Sequence, residues 1–145
     1  MNLTIREMNI SDLNCISDTL EIDFDNFWNY NVFKSELENP SSTYFVALND
    51  DEIVGFGGIW KCIDEFHITN IVVKKNKRNL HIGSKILEKL IEVSKNKDAN
   101  SITLEVNKNN IPAIKLYSKY NFLNVGIRKN YYNGTDDAII MTLSF

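Results

Sequence analysis

The sequence predicts one mixed α+β domain, residues 1–145, with elements in the order β-α-α-β-β-β-α-β-α-β-β. Three observations lead there. Short runs rich in β-branched and aromatic residues, such as 43–48 and 101–106, have the composition and alternation of strands. Ile82, Ile86 and Leu90, with Leu87 and Ile91 beside them, repeat at helical spacing. Turn residues separate the runs, and Asn133-Gly134 is a strong hairpin signal.

Residues 3–6 form a short extended start. Ser11 is a good N-cap, Asp12 favours the first turn, and Leu13, Ile16 and Leu20 continue a helical stripe. The segment 24–30 is dense in aromatics (Phe24, Phe27, Trp28, Tyr30) and reads as an irregular lid or loop packed on the domain. Asn31 caps a second helix, 32–38, which stops before Asn39-Pro40. Strands over 43–48, 53–60 and 66–73 follow as an antiparallel meander. Gly55, Gly57 and Gly58 weaken the middle strand but permit close backbone approach or a bulge.

The helix that opens at 81–84 ends in the polar stretch 95–100. In the strand 101–106, Ile102, Leu104 and Val106 share one face, and Thr103 and Glu105 the other. Asn109 and Asn110 are cap candidates, and Pro112 fits a first helical turn. Ala113, Ile114, Leu116, Tyr117 and Tyr120 form that helix's buried side, and Asn121 ends it in a left-handed conformation. Strands over 122–128 and 138–143 close the chain.

Composition narrows the function classes. A hydrophobic fraction of 43% and a charged fraction of 24% are those of an ordinary globular protein. A net charge of -3 argues against direct nucleic-acid binding, although Lys74, Lys75, Lys77 and Arg78 make one loop basic. Cys15 and Cys62 are isolated in apolar company, which suits buried thiols in a reducing compartment. His67 and His81 lack partners at metal-ligand spacing, so no metal is expected. With neither a leader nor a membrane-length apolar run, the chain is expected in the cytoplasm, with no membrane contact.

Two places invite chemistry. A strand feeding a helix through the basic loop aims free backbone N–H groups at one point, a place for a phosphate-bearing ligand. A solvated basic loop accounts for the spacing equally well. Glu105 lies on the polar side of an apolar strand, and Tyr117 follows one loop and a helical turn or two later. A carboxylate that takes a proton from an ammonium and a phenol that protonates a departing thiolate are what acyl transfer from a thioester requires. A solvated glutamate and a core tyrosine would have the same spacing.

The loop Arg78-Asn79-Leu80-His81-Ile82-Gly83 between strand and helix resembles the acyl-CoA signature of the GNAT acetyltransferase superfamily, usually Gln/Arg-x-x-Gly-x-Gly/Ala. LEVNKNNIPAIKLYSKYNF (104–122) resembles its second landmark. RKNYYNGTDDAIIM (128–141) resembles the tail of its RimI branch, which acetylates protein N-termini, notably the N-terminal alanine of a small-subunit ribosomal protein. The likeness covers essentially the whole chain, including DEFHITNIVV (64–73).

The resemblance implies a three-layer fold with a central, mostly antiparallel twisted sheet flanked by helices. It implies acetyl-CoA as co-substrate and a protein or peptide N-terminus, such as that of a ribosomal protein, as acceptor. Ile71, Val72 and Val73 would then present backbone groups to the pantetheine arm and thioester. Arg78, Asn79, Leu80, His81, Ile82, Gly83 and Ser84 would wrap the pyrophosphate, and Asn110 would contact the cofactor. Glu105 would be the general base and Tyr117 the general acid. Asp64, Glu65, Tyr131 and Tyr132 would shape the peptide groove, where acidic residues also attract a cationic amine.

His81 departs from the signature, which has glycine there. A side chain at that turn could obstruct the phosphate, or it could donate a hydrogen bond to it. The preferred expectation is that residue 81 already has helical φ/ψ, with its side chain in solvent and cofactor binding somewhat weakened. Two other functions are carried forward: acetylation of a small-molecule amine or lysine side chain, and a non-catalytic acyl-CoA-binding module.

Overall fold

The computed structural model describes residues 1–26 and 28–145. Its strands are β1 (Leu3–Glu7), β2 (Ser42–Asn49), β3 (Glu52–Cys62), β4 (Glu65–Val73), β5 (Ser101–Asn107), β6 (Leu123–Tyr132) and β7 (Asp136–Ser144). They form one seven-stranded sheet in the order β1-β2-β3-β4-β5-β7-β6. Every neighbouring pair is antiparallel except β4 and β5, which run parallel.

Helices cover both faces. On one, α4 (Ile82–Asn96) buries Ile82, Ile86, Leu87 and Leu90 against Phe45, Val54, Phe66, Ile102 and Leu104. Each such side chain contributes about 1.5–3 kcal/mol. α5 (Ile111–Lys119) packs its apolar stripe on the same core. On the other face, α1 (Ile10–Ile16), α2 (Leu20–Phe24) and α3 (Tyr30–Glu38) bury Leu13, Ile16, Phe24 and Phe33 against Tyr44, Val46 and Phe56. The expected three layers are present. Among the described residues, no helix is long and apolar enough to cross a membrane.

The amino-terminal helices differ from expectation. Asn9, not Ser11, caps α1. Its Oδ1 accepts from the Asp12 N–H at 3.1 Å, and Asp12 Oδ2 accepts from the Asn9 N–H at 2.9 Å. This reciprocal pair satisfies two donors, whereas Ser11 lies inside the helix. The expected single helix breaks at a 3-10 turn, Ser17–Thr19, and α2 ends at the left-handed Asp25. Asn29, not Asn31, caps α3, accepting from the Val32 N–H at 2.9 Å, so Tyr30 is helical. Trp28 packs edge-on against Phe33; Phe27 lies outside the described residues.

The cysteines are a further correction: Cys15 is exposed and Cys62 only half-buried. Leu13 and Ile16 take the buried positions of α1, which turns Cys15 outward.

Two irregularities create the opening in the sheet. β4 and β5 pair at only three positions, Glu65↔Ser101, Phe66↔Ile102 and His67↔Thr103, and then part. Just beyond, Gly58↔Asn70 is followed by Ile59↔Ile68, so Thr69 is an extra residue bulged out of β4. A bulge bends its strand and strengthens its twist, which carries the end of β4 away from β5. Close packing explains a neighbouring glycine, since a Cβ on Gly58 would lie 2.3 Å from the Tyr44 ring.

Candidate active site

The gap between β4 and β5 opens into a cleft of about 860 Å³. Ile71, Val72 and Val73 form one wall; Pro112, Ala113, Leu116 and Tyr117 of α5 form another, with Asn110 before them. Arg78, Asn79, His81 and the first residues of α4, Ile82, Gly83 and Ser84, close one end, and Phe24 and Asp25 cover it. Of the residues expected at the cofactor, Leu80 alone does not line the cleft; it is exposed.

The start of α4 suits an anion. Its N-cap, His81, makes no side-chain cap hydrogen bond, and the first turn has no acidic residue. The helix's first internal bond runs from the Lys85 N–H to the His81 carbonyl at 3.2 Å. The preceding N–H groups of Ile82, Gly83 and Ser84 therefore have no intrahelical partner, and the helix dipole adds positive potential there. Backbone donors at a dipole's positive end are a ready phosphate site.

His81 is not helical, contrary to expectation: it has φ 64° and ψ 18°, in the left-handed region. Arg78 is extended, and the chain must turn sharply from it into α4, so Asn79 and His81 both take φ 64°. The glycine of the family signature thus answers a backbone requirement, one that histidine meets more readily than most residues. Its side chain is exposed, as expected.

The basic loop is anchored. Asp25 receives Lys75 at 2.9 Å and Arg78 at 3.3 Å, and Arg78 Nε donates to the Val73 carbonyl at 3.1 Å. Lys75 first, then Arg78, hold the Asp25 carboxyl below its ordinary value. Lys74 pairs with Glu52 at 3.0 Å. These contacts tie the loop to α2 and β3.

Tyr117 projects from α5 with its ring 5.8 Å from that of Phe122. Burial, with a smaller contribution from Tyr132, pushes its phenol up to about 12. Glu105 does not line the cleft; it stands across the gap on β5. Arg128 Nε lies 3.1 Å from Glu105 Oε1, while Oε2 is buried without a hydrogen-bond partner. The carboxylate, first as hydrogen-bond acceptor and then as charge, raises the Tyr131 phenol. Burial raises Tyr132, Glu105 adds to that rise, and Tyr132 in turn adds to the rise at Tyr117.

Asp64 and Glu65 are elsewhere. Asp64 Oδ2 accepts from Asn100 at 2.8 Å, and Glu65 pairs with His67 at 2.9 Å and Ser101 at 3.3 Å. That is where β4 and β5 are still joined, about 13 Å along β5 from Glu105. The structure does not bring them to Tyr131 and Tyr132, because the groove opens only where the strands part. Sequence reasoning also missed Arg128. Strand β7 lies between β6 and β5, and nothing local marks that adjacency.

The sequence profile of the Acetyltransferase (GNAT) family matches residues 8–122. The chain belongs to that family. It is an N-acetyltransferase by this membership and by its relatives. A provisionally named ribosomal protein bS18-alanine N-acetyltransferase of Bacillus subtilis is 38% identical over 140 residues, covering 94% of this chain and 92% of the relative. The crystal structure of the ribosomal-protein-S18-alanine N-acetyltransferase from Escherichia coli superposes with a TM-score of 0.88 at 29% identity, covering 98% of this chain and 93% of that one. A GNAT family acetyltransferase from Elizabethkingia anophelis with acetyl-CoA bound has the same fold, with a TM-score of 0.80 at 24% identity and 99% of each chain covered. GNAT acetyltransferases use acetyl-CoA, and the parted strands and uncapped α4 have the form such a co-substrate requires.

Proposed function

We propose that this chain transfers the acetyl group of acetyl-CoA to the α-amine of an N-terminal alanine, that of ribosomal protein bS18, in the cytoplasm. The observation that carries the chemistry is the uncapped start of α4 opening into the same cleft as the half-buried Tyr117. The acceptor follows from the relatives named for bS18.

In this reading, Ile82, Gly83 and Ser84 donate backbone hydrogen bonds to the pyrophosphate, with Asn79, His81 and Arg78 around it. The exposed β5-facing edge of Ile71, Val72 and Val73 directs the pantetheine arm into the gap, beside Asn110. Glu105, held by Arg128, takes a proton from the incoming ammonium, leaving a neutral amine. As the N–C bond forms and the C–S bond breaks, the amide nitrogen sheds its second proton. Tyr117 supplies a proton to the departing sulfur and regains one, so one proton is released overall. Tyr131 and Tyr132 flank the acceptor; Asp64 and Glu65 take no part.

Neither cysteine lines the cleft, which favours direct attack in a ternary complex over an acetyl-cysteine intermediate. The test is mass spectrometry of products from a bS18 N-terminal peptide, a lysine-containing peptide with a blocked N-terminus, and free polyamines. Acetylation at the peptide α-amine is expected, and turnover restricted to the other amines would overturn the acceptor.

A further inference from the structure

Among the described residues, four buried side-chain atoms have no hydrogen-bond partner: Tyr44 Oη, Thr69 Oγ1, Asn70 Oδ1 and Glu105 Oε2. Such atoms are rare in folded proteins because each forfeits its hydration. These four fall in one row across the sheet. Tyr44 pairs with Gly58, and Gly58 with Asn70. On the other side of the gap, His67 pairs with Thr103, so Thr69 and Glu105 each stand two residues further along their strands.

The bulge puts the row on one face. Ile68, Ile71 and Val73 pack in the α4 core, and Val72 packs in the core beneath α1, α2 and α3. Strict alternation would separate Thr69 from Asn70. With the extra residue, Thr69 follows the inward Ile68 and Asn70 precedes the inward Ile71, so both face the α1–α3 side. Glu105 shares that face, since its neighbours Leu104 and Val106 belong to the α4 core. The Tyr44 ring occupies the space above Gly58, the register partner of Asn70, which puts the phenol on the same face.

Asn70 Oδ1 and the carboxylate oxygen only accept hydrogen bonds, and the two hydroxyls can accept. A buried row of acceptors beside the gap, just outside the lining of the cleft, calls for a group with several donors. An ammonium has three N–H bonds and a positive charge that Glu105 complements. We infer that Thr69, Asn70 and Glu105 form the cradle that holds the acceptor's α-ammonium, with the Tyr44 hydroxyl as its rear wall. The amine then approaches from the α1–α3 face while α4 and α5 hold the thioester from the other. This inference rests on the proposed acetyl transfer.

Near-isosteric variants separate the roles. Thr69→Val and Asn70→Leu are each expected to raise the KM for the acceptor peptide about 10-fold or more, the loss expected for a hydrogen bond to a charged group. The KM for acetyl-CoA and the melting temperature should hold, and Thr69→Ser should keep the peptide KM close to wild type. A peptide with hydrogen in place of its α-amino group should inhibit wild type and both variants equally. Unchanged peptide KM in both variants would overturn the cradle. So would a fall in melting temperature with a parallel rise in both KM values, which would mark a structural water site only. Wild-type inactivity toward every amine would instead overturn the acetyl transfer itself, and an acceptor other than the alanine peptide would carry the same comparison.

Discussion

Arg128, on the edge strand β6, reaches past β7 to Glu105 on β5 and grips one carboxylate oxygen at 3.1 Å, leaving the other buried and unpaired. One oxygen is held by the guanidinium and the other has no hydrogen-bond partner, so the two ends of the carboxylate are unequally engaged.

The pair therefore has two separable contributions. Glu105→Gln should lower kcat by about 10²–10⁴-fold, the range for a lost general base. Arg128→Ala should lower kcat by about 10-fold through lost orientation, with little change in melting temperature because the arginine is more than half exposed. Steady-state kinetics and thermal melts on both variants check this. A stability loss that accounts for the whole activity loss in Arg128→Ala would contradict it.

Tyr117 is kept protonated by burial. An ordinary tyrosine would begin to lose its proton near 10.0, and this one does so only near about 12. The pH profile of kcat should accordingly lack an alkaline limb near 10.0. Tyr117→Phe should lower kcat by about 10²-fold or more across the whole range, without moving the limbs that remain. An alkaline limb near 10.0 that disappears in Tyr117→Phe would contradict the assignment.

The left-handed His81 yields a stability prediction. A β-branched residue tolerates that conformation poorly, so His81→Val should cost about 1–2 kcal/mol in denaturant unfolding. His81→Gly should change stability by less than about 1 kcal/mol and leave acetyl-CoA affinity as tight or tighter. Weaker acetyl-CoA binding in His81→Gly would show that the imidazole itself holds the phosphate.

Asp12 joins the start of α1 to β1. Arg6 donates to both its oxygens at 2.8 Å, and that contact holds the carboxyl below its ordinary 3.8. For a depressed carboxyl, the stabilisation is present above the unfolded-state value and is lost as pH falls through the lower folded-state value. With Arg6 48% exposed, Asp12→Ala should cost only about 1–2 kcal/mol at neutral pH, cap included. The difference from wild type should shrink below 3.8 in urea titrations.

Much of the fold was legible because local chemistry agreed with the final structure. The left-handed Asn121 at the end of α5, Asn110 as its cap and the Asn133-Gly134 hairpin all lie where their side chains or φ preferences put them. The caps of α1 and α3 were misplaced by two residues, because each region holds more than one plausible capping residue. Only the completed turns select Asn9 and Asn29.

The sequence by itself determined the seven strands, the principal helices and the family, since each depends on periodicity, turn residues or motif order within a short span. It also marked Glu105 and Tyr117. Tertiary structure alone decided their settings: Tyr117 lines the cleft from α5, and Glu105 stands outside that lining on β5, held by Arg128 at 3.1 Å. It alone set Asp64 and Glu65 where β4 and β5 are still joined, and Tyr44, Thr69, Asn70 and Glu105 in one row. The physical reason is that these relationships depend on strand order and on one inserted residue. A single bulge at Thr69 reverses which face every later side chain of β4 presents, and no local pattern records such a shift.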